Sequence, residues 1–271
     1  DTTAPERSDM PGDRFPHEFV PKTKPGASTD RRLFGYNLEE FPALQAPFRR
    51  STWFVNQPRE AFMHPDQMLI INSMEQNEFL VGRTPEDEFE RLQELDGIVD
   101  VYFPGDRWVM DSDDMDRREL LSEIERSVEG QKALYRMVED AELDVELYPI
   151  IVGWEPWHYE HCRELFEVFG TKSCAFDGTE YNSKFNLWDD LEALVETLGP
   201  DRIYLNGRVS HEHLLHAPDE VVAFSGKTSI LDECRQPNGE HDPERLTETI
   251  NWRIEALHSS QTALDGFMVN N

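Results

Sequence analysis

Met68-Leu69-Ile70-Ile71-Asn72 and Ile98-Val99-Asp100-Val101-Tyr102-Phe103 decide how this chain is read. Each is a short, nearly unbroken row of β-branched and aromatic residues. A strand of that kind must be covered on both faces, which is the condition of a parallel sheet packed under helices. The segment between them agrees: Thr84-Pro85-Glu86-Asp87 is a helix start, with Thr as N-cap, Pro at the first helical position and acids on the first turn.

The same alternation extends in both directions. Candidate strands are Leu33–Tyr36, Thr52–Asn56, Met68–Asn72, Ile98–Phe103, Val145–Val152, Cys174–Asp177, Arg202–Asn206 and Val221–Phe224. Helices are predicted after Asp116, from Glu155-Pro156 to a stop at Gly170, from Leu187 to Leu198, and from about Pro243 to Ala263. Eight strands in about 190 residues favour an α/β fold of the (β/α)8, TIM-like barrel type over a doubly wound sheet. Residues 1–32 hold five of the seventeen prolines and no sustained hydrophobic period, so they are expected to form an extended or disordered arm. Residues 33–271 are expected to form one barrel domain ending in the C-terminal helix.

Composition narrows the class of protein. The 271 residues carry 55 acids against 26 bases, a net charge of −29, yet 38% are hydrophobic, which excludes wholesale disorder. There is no run long enough to span a membrane and no apolar segment at the N-terminus, so a cytoplasmic protein without membrane contact is expected. Cys162, Cys174 and Cys234 are odd in number and widely spaced, unlike a disulfide framework. Six of the bases are lysine and twenty are arginine. An acid-rich, lysine-poor chain is read here as that of a halophile, because concentrated salt screens its self-repulsion. In such an organism an acidic protein can still bind nucleic acid.

The residues that close the strands carry the candidate chemistry, since a barrel builds its site at the C-terminal ends of its strands. They include Asn72-Ser73, Asp106, Gly153-Trp154, Asp177, Asn206 and Ser225. Glycine lets a planar ligand approach the backbone, and Asp and Asn read N–H and C=O edges. No GxGxxG, P-loop or GxSxG motif occurs. His158, His161 and Cys162, and His211, His213 and His216, have helical spacing but are read as packing or surface residues; Asp111 to Asp116 is read as a solvated turn. No metal or other cofactor is expected.

IINSMEQNEF (70–79), RTPEDEFERL (83–92), IVDVYFPGD (98–106), ELYPIIVGWEPWHYEHCRELFEVFG (146–170), PDRIYLNG (200–207) and DEVVAFSGKTS (219–229) together resemble the tRNA-guanine transglycosylase superfamily, including its branch that inserts 7-deazaguanines into DNA. The resemblance spans roughly residues 67–229. It implies that Asp106 reads the edge of the base, Gly153 contacts its carbonyl and Trp154 lines the pocket. Asn72 stands where the family has its general-base Asp, Val152 where it has a base-reading Gln, and Ser225 near its nucleophilic Asp; the family's CxCxxC…H zinc site has no counterpart. Asn cannot accept a proton as a base. Either the carboxylates have moved, with Asp106, Asp177 and Asp111 as candidates, or the barrel only binds. The leading expectation is base exchange placing a 7-deazaguanine in nucleic acid, DNA favoured over tRNA, with Asn72, Asp106 and Asp177 at the reacting centre. Ser73, Gly153, Trp154, Asn206 and Ser225 would then hold the substrate. The alternative is a non-catalytic barrel, an interaction or structural protein of a halophile or its virus, with the arm available for homo-oligomer contacts.

The charge reading has a direct consequence. The melting midpoint should rise by several degrees from low salt to molar KCl as repulsion is screened; a flat or falling midpoint would contradict the halophile reading.

Overall fold

The computed structural model describes residues 13–107, 109, 116–179, 181, 184–207 and 210–268. Its strands are β1 (Glu18–Pro21), β2 (Ala43–Pro47), β3 (Met68–Asn72), β4 (Val101–Phe103), β5 (Glu146–Leu147), β6 (Ser173–Asp177), β7 (Arg202–Asn206) and β8 (Val221–Gly226). They pair in parallel throughout, in two four-stranded sheets of order β1-β8-β7-β6 and β2-β3-β4-β5. Two single parallel bridges join one sheet to the other, Lys22 with Gln45 and Ile150 with Ala175. At these bridges Thr23 N–H donates to Gln45 O at 2.7 Å and Ile151 N–H donates to Ala175 O at 2.9 Å.

The helices are α1 (Ser28–Phe34), α2 (Thr52–Asn56), α3 (Asn77–Leu80), α4 (Pro85–Glu94), α5 (Arg117–Asp140), α6 (Pro156–Phe169), α7 (Lys184–Leu198), α8 (His211–Leu214), α9 (Thr228–Glu233) and α10 (Pro243–Met268). The crossover helices α4 to α7 pack side by side in chain order. Their boundaries follow from local chemistry. Thr84 Oγ1 accepts the Asp87 N–H at 3.2 Å while the Asp87 carboxylate accepts the Thr84 N–H at 2.9 Å, a reciprocal cap that starts α4. Asp116 accepts from the N–H groups of Arg118 and Glu119 and starts α5. Gly170, at φ 64°, ends α6 in the left-handed conformation that a residue with a Cβ adopts only at a cost. Among the described residues, no helix is long and apolar enough to cross a membrane.

The first two strands are not those expected. Leu33 and Phe34 of the predicted strand Leu33–Tyr36 finish α1, and the predicted strand Thr52–Asn56 is α2. Leu33, Phe34 and Phe54 are buried from one face of a helix while Val55 is exposed, and a run this short has no period that separates helix from strand. The strands that occupy these places, Glu18-Phe19-Val20-Pro21 and Ala43-Leu44-Gln45-Ala46-Pro47, end in proline and include polar residues, so neither reads as an apolar run. The expected arm of residues 1–32 therefore contributes a paired strand: β1 lies along β8 from Glu18–Ala223 to Pro21–Gly226. Residues 1–12 lie outside the described residues.

Side chains from the two sheets meet in the interior. Phe103 of β4 stacks on Tyr204 of β7, centroids 4.8 Å apart and planes 17° from parallel. Gln45 of β2, fully buried, donates from Nε2 to Asn206 Oδ1 of β7 at 3.2 Å and accepts from the Tyr204 hydroxyl. Gln45→Ala should cost about 2 to 4 kcal/mol, because it leaves a cavity and strips partners from two buried polar groups. Denaturant unfolding measures this. A loss below about 1 kcal/mol would mean that the interior bridge contributes little.

Candidate functional site

Residues that follow all eight strands line one cavity of about 1210 Å³, among them Lys22, Pro47, Glu75, Asp106, Gly153 and Asp177. Gly207 and Lys227, after β7 and β8, complete the circuit. The cavity sits at the C-terminal ends of parallel strands, where successive βα loops converge.

Asp177 ends β6, and its register partner on β7 is Asn206, whose own partner on β8 is Ser225. The three side chains form a chain at one level. Ser225 Oγ donates to Asn206 Oδ1 at 2.9 Å, and Asn206 Nδ2 donates to Asp177 Oδ1 at 2.8 Å. Because Oδ1 of Asn206 also accepts from Gln45, the orientation of this amide is dictated from both ends. Thr179 adds its N–H at 3.1 Å and its hydroxyl to the same oxygen of Asp177. Gly207, at φ 98°, makes room for Thr179: a Cβ there would lie 2.5 Å from Thr179 Oγ1. Asp177 Oδ2 makes no hydrogen bond to any described residue.

Asp106 follows β4 after a turn at Pro104-Gly105 and is 7% exposed. Its N–H donates to Ser73 Oγ at 2.9 Å. Burial first, and then the negative charge of Asp177, hold its carboxyl well above the usual carboxylate range, against the opposing pull of Arg83 and of the backbone N–H groups of Glu75 and Arg107. Two carboxyls thus face one cavity with unequal tasks. Asp106 favours its proton, and Asp177 is arranged as a hydrogen-bond acceptor.

Arg83 supports this arrangement from below. Its guanidinium, 8% exposed, pairs with Glu75 at 2.9 Å and Glu88 at 3.3 Å and donates to Ser73 O at 2.7 Å. Glu88 in turn accepts the Gly105 N–H at 3.1 Å, which ties α4 to the turn carrying Asp106. Burial raises Glu75 and Glu88 against the opposing attraction of Arg83, so desolvation outweighs the ion pairing at both acids.

On the far side, His158 of α6 reaches back under the β5 loop, and its Nδ1 accepts the N–H groups of Trp154 and Glu155, both at 3.1 Å. Burial pushes its imidazole down to about 4, so it is the neutral acceptor these bonds need. Gly153, at φ 110°, is required by the same fit, since a Cβ would meet His158 Cβ at 2.4 Å. Of His158, His161 and Cys162, the first is therefore a loop anchor.

The structure sorts the candidate residues. Asp106, Asp177, Gly153 and Trp154 line the cavity. Ser73, Asn206 and Ser225 are fully buried beneath it and orient the two acids instead of touching solvent. Asn72 is also fully buried, and its amide has no hydrogen-bond partner among the described residues. Asp111 lies outside the described residues. Thr179, in the strand-end run Asp177-Gly178-Thr179, lines the cavity too, and Glu75, Arg83 and Arg107 belong to the site although nothing in their local sequence marks them. His211 stacks on Trp252 at 3.6 Å, and no group of three His, Cys, Asp or Glu among the described residues could hold a metal ion.

No protein-family model and no curated protein matches the chain. Solved structures do. The Amycolatopsis orientalis BexX/CysO complex has a TM-score of 0.54 at 15% identity, over 93% of this chain and 94% of that one. A native KDPGal structure reaches 0.44 at 14% identity, over 93% and 98%. The phosphoribosyl anthranilate isomerase of Thermus thermophilus reaches 0.44 at 13%, over 89% and 99%. The likeness to the first of these is one of fold alone. None of these three is a tRNA-guanine transglycosylase.

The raised pKa of Asp106 sets a sign for stability. An unfolded Asp titrates near about 3.9, so folding favours the protonated acid above that pH. The stabilisation is complete below the unfolded value and is lost as pH rises through the folded one. Asp106→Asn, neutral at every pH, should match the wild type below about pH 4 and become the more stable of the two as pH rises through the folded pKa of Asp106. Denaturant midpoints across pH test this; a variant less stable than wild type at alkaline pH would remove the buried-acid account.

Proposed function

We propose that the chain is a glycosyl-transferring enzyme that exchanges a guanine for a 7-deazaguanine in nucleic acid, DNA before tRNA, at the mouth of a closed eight-stranded (β/α) barrel. Closure is supported by the two bridges between the sheets and by a single cavity lined from all eight strands. The observation that carries the chemistry is the Asp106–Asp177 pair: one buried acid whose pKa is raised and one oriented acceptor share a cavity large enough for a nucleoside.

In this reading Asp177 Oδ2 attacks the sugar C1′. The glycosidic C–N bond breaks, its electron pair leaves with the old base, and Asp106 delivers the proton that neutralises it. The incoming base then loses a proton to Asp106 as its nitrogen displaces the Asp177 ester, restoring both acids. Asn72 need not act as a base, because the two acids divide the task. Gly153 and Trp154 line the base side of the cavity, and Asn206, Thr179 and Ser225 act by positioning Asp177.

The test is incorporation of labelled guanine or 7-deazaguanine into DNA or tRNA at high salt, beside calorimetric titration of the free bases. Asp177→Asn should lower exchange by about 10³-fold or more while base binding survives. Asp106→Ala should weaken base binding by roughly 2- to 12-fold, the loss of one neutral hydrogen bond of about 0.5 to 1.5 kcal/mol. Exchange should decline as pH rises through the elevated Asp106 pKa, because the proton donor is lost. Wild-type protein that neither binds these bases nor exchanges them would overturn the proposal.

A further inference from the structure

A second cavity, of about 920 Å³, opens beside the first. It gathers Arg31 and Arg32 from α1 with Arg49 and Arg50 from the turn after β2, and Tyr36 and Trp53 stand among them. All four arginines are exposed. In a chain with 55 acids and 26 bases this cleft reverses the sign of the surface: no Asp or Glu among the described residues lines it. Arg32 and Arg50 make no hydrogen bond or ion pair with any described residue, so neither charge is used by the fold. Arg31 lies 5.4 Å from the centroid of Tyr36, a ring that is 47% exposed.

The cleft leads somewhere. Arg49 and Arg50 line both cavities. Beyond them, on the wall of the first cavity, stand Lys22, Lys24 and Lys227, three of the chain's six lysines. Lys227 is paired with the buried Asp30, and Lys22 and Lys24 are near enough to repel it. Positive charge therefore runs without an acid along the cleft itself; where it reaches the first cavity, Arg49 is paired with Glu75 at 3.2 Å, and Arg50, Lys22 and Lys24 carry the positive charge on toward Asp106 and Asp177.

We infer that this arginine cleft is a binding track for a single-stranded nucleic acid, which delivers one nucleotide to the carboxylate pair. Guanidinium groups match phosphodiesters at repeated intervals, and half-open aromatic rings between them accept unstacked bases. A duplex hides its bases and cannot use the rings. The net charge of −29 repels a polyanion at long range, so capture rests on these short contacts. The inference deepens the base-exchange reading, on which its account of why the track ends at Asp106 and Asp177 rests.

The experiment measures binding of fluorescent oligonucleotides, single-stranded DNA, single-stranded RNA and duplex DNA, from about 0.15 M to 1 M KCl, with polyglutamate as a second polyanion. Arg32→Gln with Arg50→Gln is the test variant, since neither side chain supports the fold, and R32E with R50E is the second. Single strands should bind more tightly than duplex, and preference between DNA and RNA identifies the source of the strand. The double Gln variant should bind single strands about tenfold more weakly, with a salt slope shallower by about 1.4, two contacts at about 0.7 each. The double Glu variant should lose more, and Arg32→Gln alone, whose side chain lies outside the first cavity, should weaken single-strand binding while free-base binding is unchanged. Unaltered oligonucleotide binding by both variants, equal binding of duplex, or equal binding of polyglutamate would overturn the inference. Asp106→Ala separates the two proposals: it should bind free base more weakly yet keep its oligonucleotide affinity, so a failed exchange reaction with an intact arginine effect rejects only the chemistry.

Discussion

The hydrogen bond from Gln45 to Asn206 connects the two halves of this molecule and, through the same amide, orients the Asp177 carboxylate at the cavity. Gln45 belongs to the sheet of β2 to β5, and Asn206 to the sheet of β1 and β6 to β8. A primary amide has two donors and two acceptor lone pairs; here Gln45 and Ser225 occupy the oxygen of Asn206, while Asp177 and Thr179 occupy its nitrogen. No rotation of that amide preserves this set. Packing of the sheets and orientation of Asp177 are thus one constraint, and a change that loosens the interior also loosens the site.

The second organising feature is an uneven distribution of charge. Buried ionised groups are costly unless paired, and one cluster of them lies between β3, β4 and α4, where Arg83 links Glu75 and Glu88 and reaches toward Asp106. This network holds Asp106 in a place where its own ionisation is disfavoured. Such placement lowers stability and raises chemical usefulness, the exchange that functional sites commonly show. His158 follows the opposite rule. Its neutral ring is the form the β5 loop needs, so burial and hydrogen bonding act together there.

Much of the fold is legible in single segments. The runs ending at Asn72 and Phe103 declare buried parallel strands, and the start at Thr84-Pro85 and the stop at Gly170 bound their helices, because each signal is local and rests on a few adjacent residues. The first two strands are hidden for the complementary reason. Phe19-Val20 and Leu44-Gln45-Ala46 become strands by pairing with β8 and β3, partners that lie far off or that are already better marked. At the site, Asp106, Asp177, Gly153 and Trp154 could be named because they close recognisable runs. Ser73, Asn206 and Ser225 could be named too, but as substrate contacts, since sequence position does not tell an inward residue at the cavity from one just beneath it.

Taken alone, the sequence determines an α/β chain of parallel strands and crossover helices, strongly acidic, with polar residues and glycines at the strand ends. Periodicity, capping and composition are properties of neighbouring residues, and they survive without a partner in space. Only the tertiary structure decides that Asp106 and Asp177 share a cavity and that Arg31-Arg32 meets Arg49-Arg50 in one cleft. It also decides that Arg83 is the buried counter-charge beneath the site. These relations join residues widely separated along the chain through strand register and loop convergence, and a pKa or a field depends on distance and burial, which no linear pattern contains.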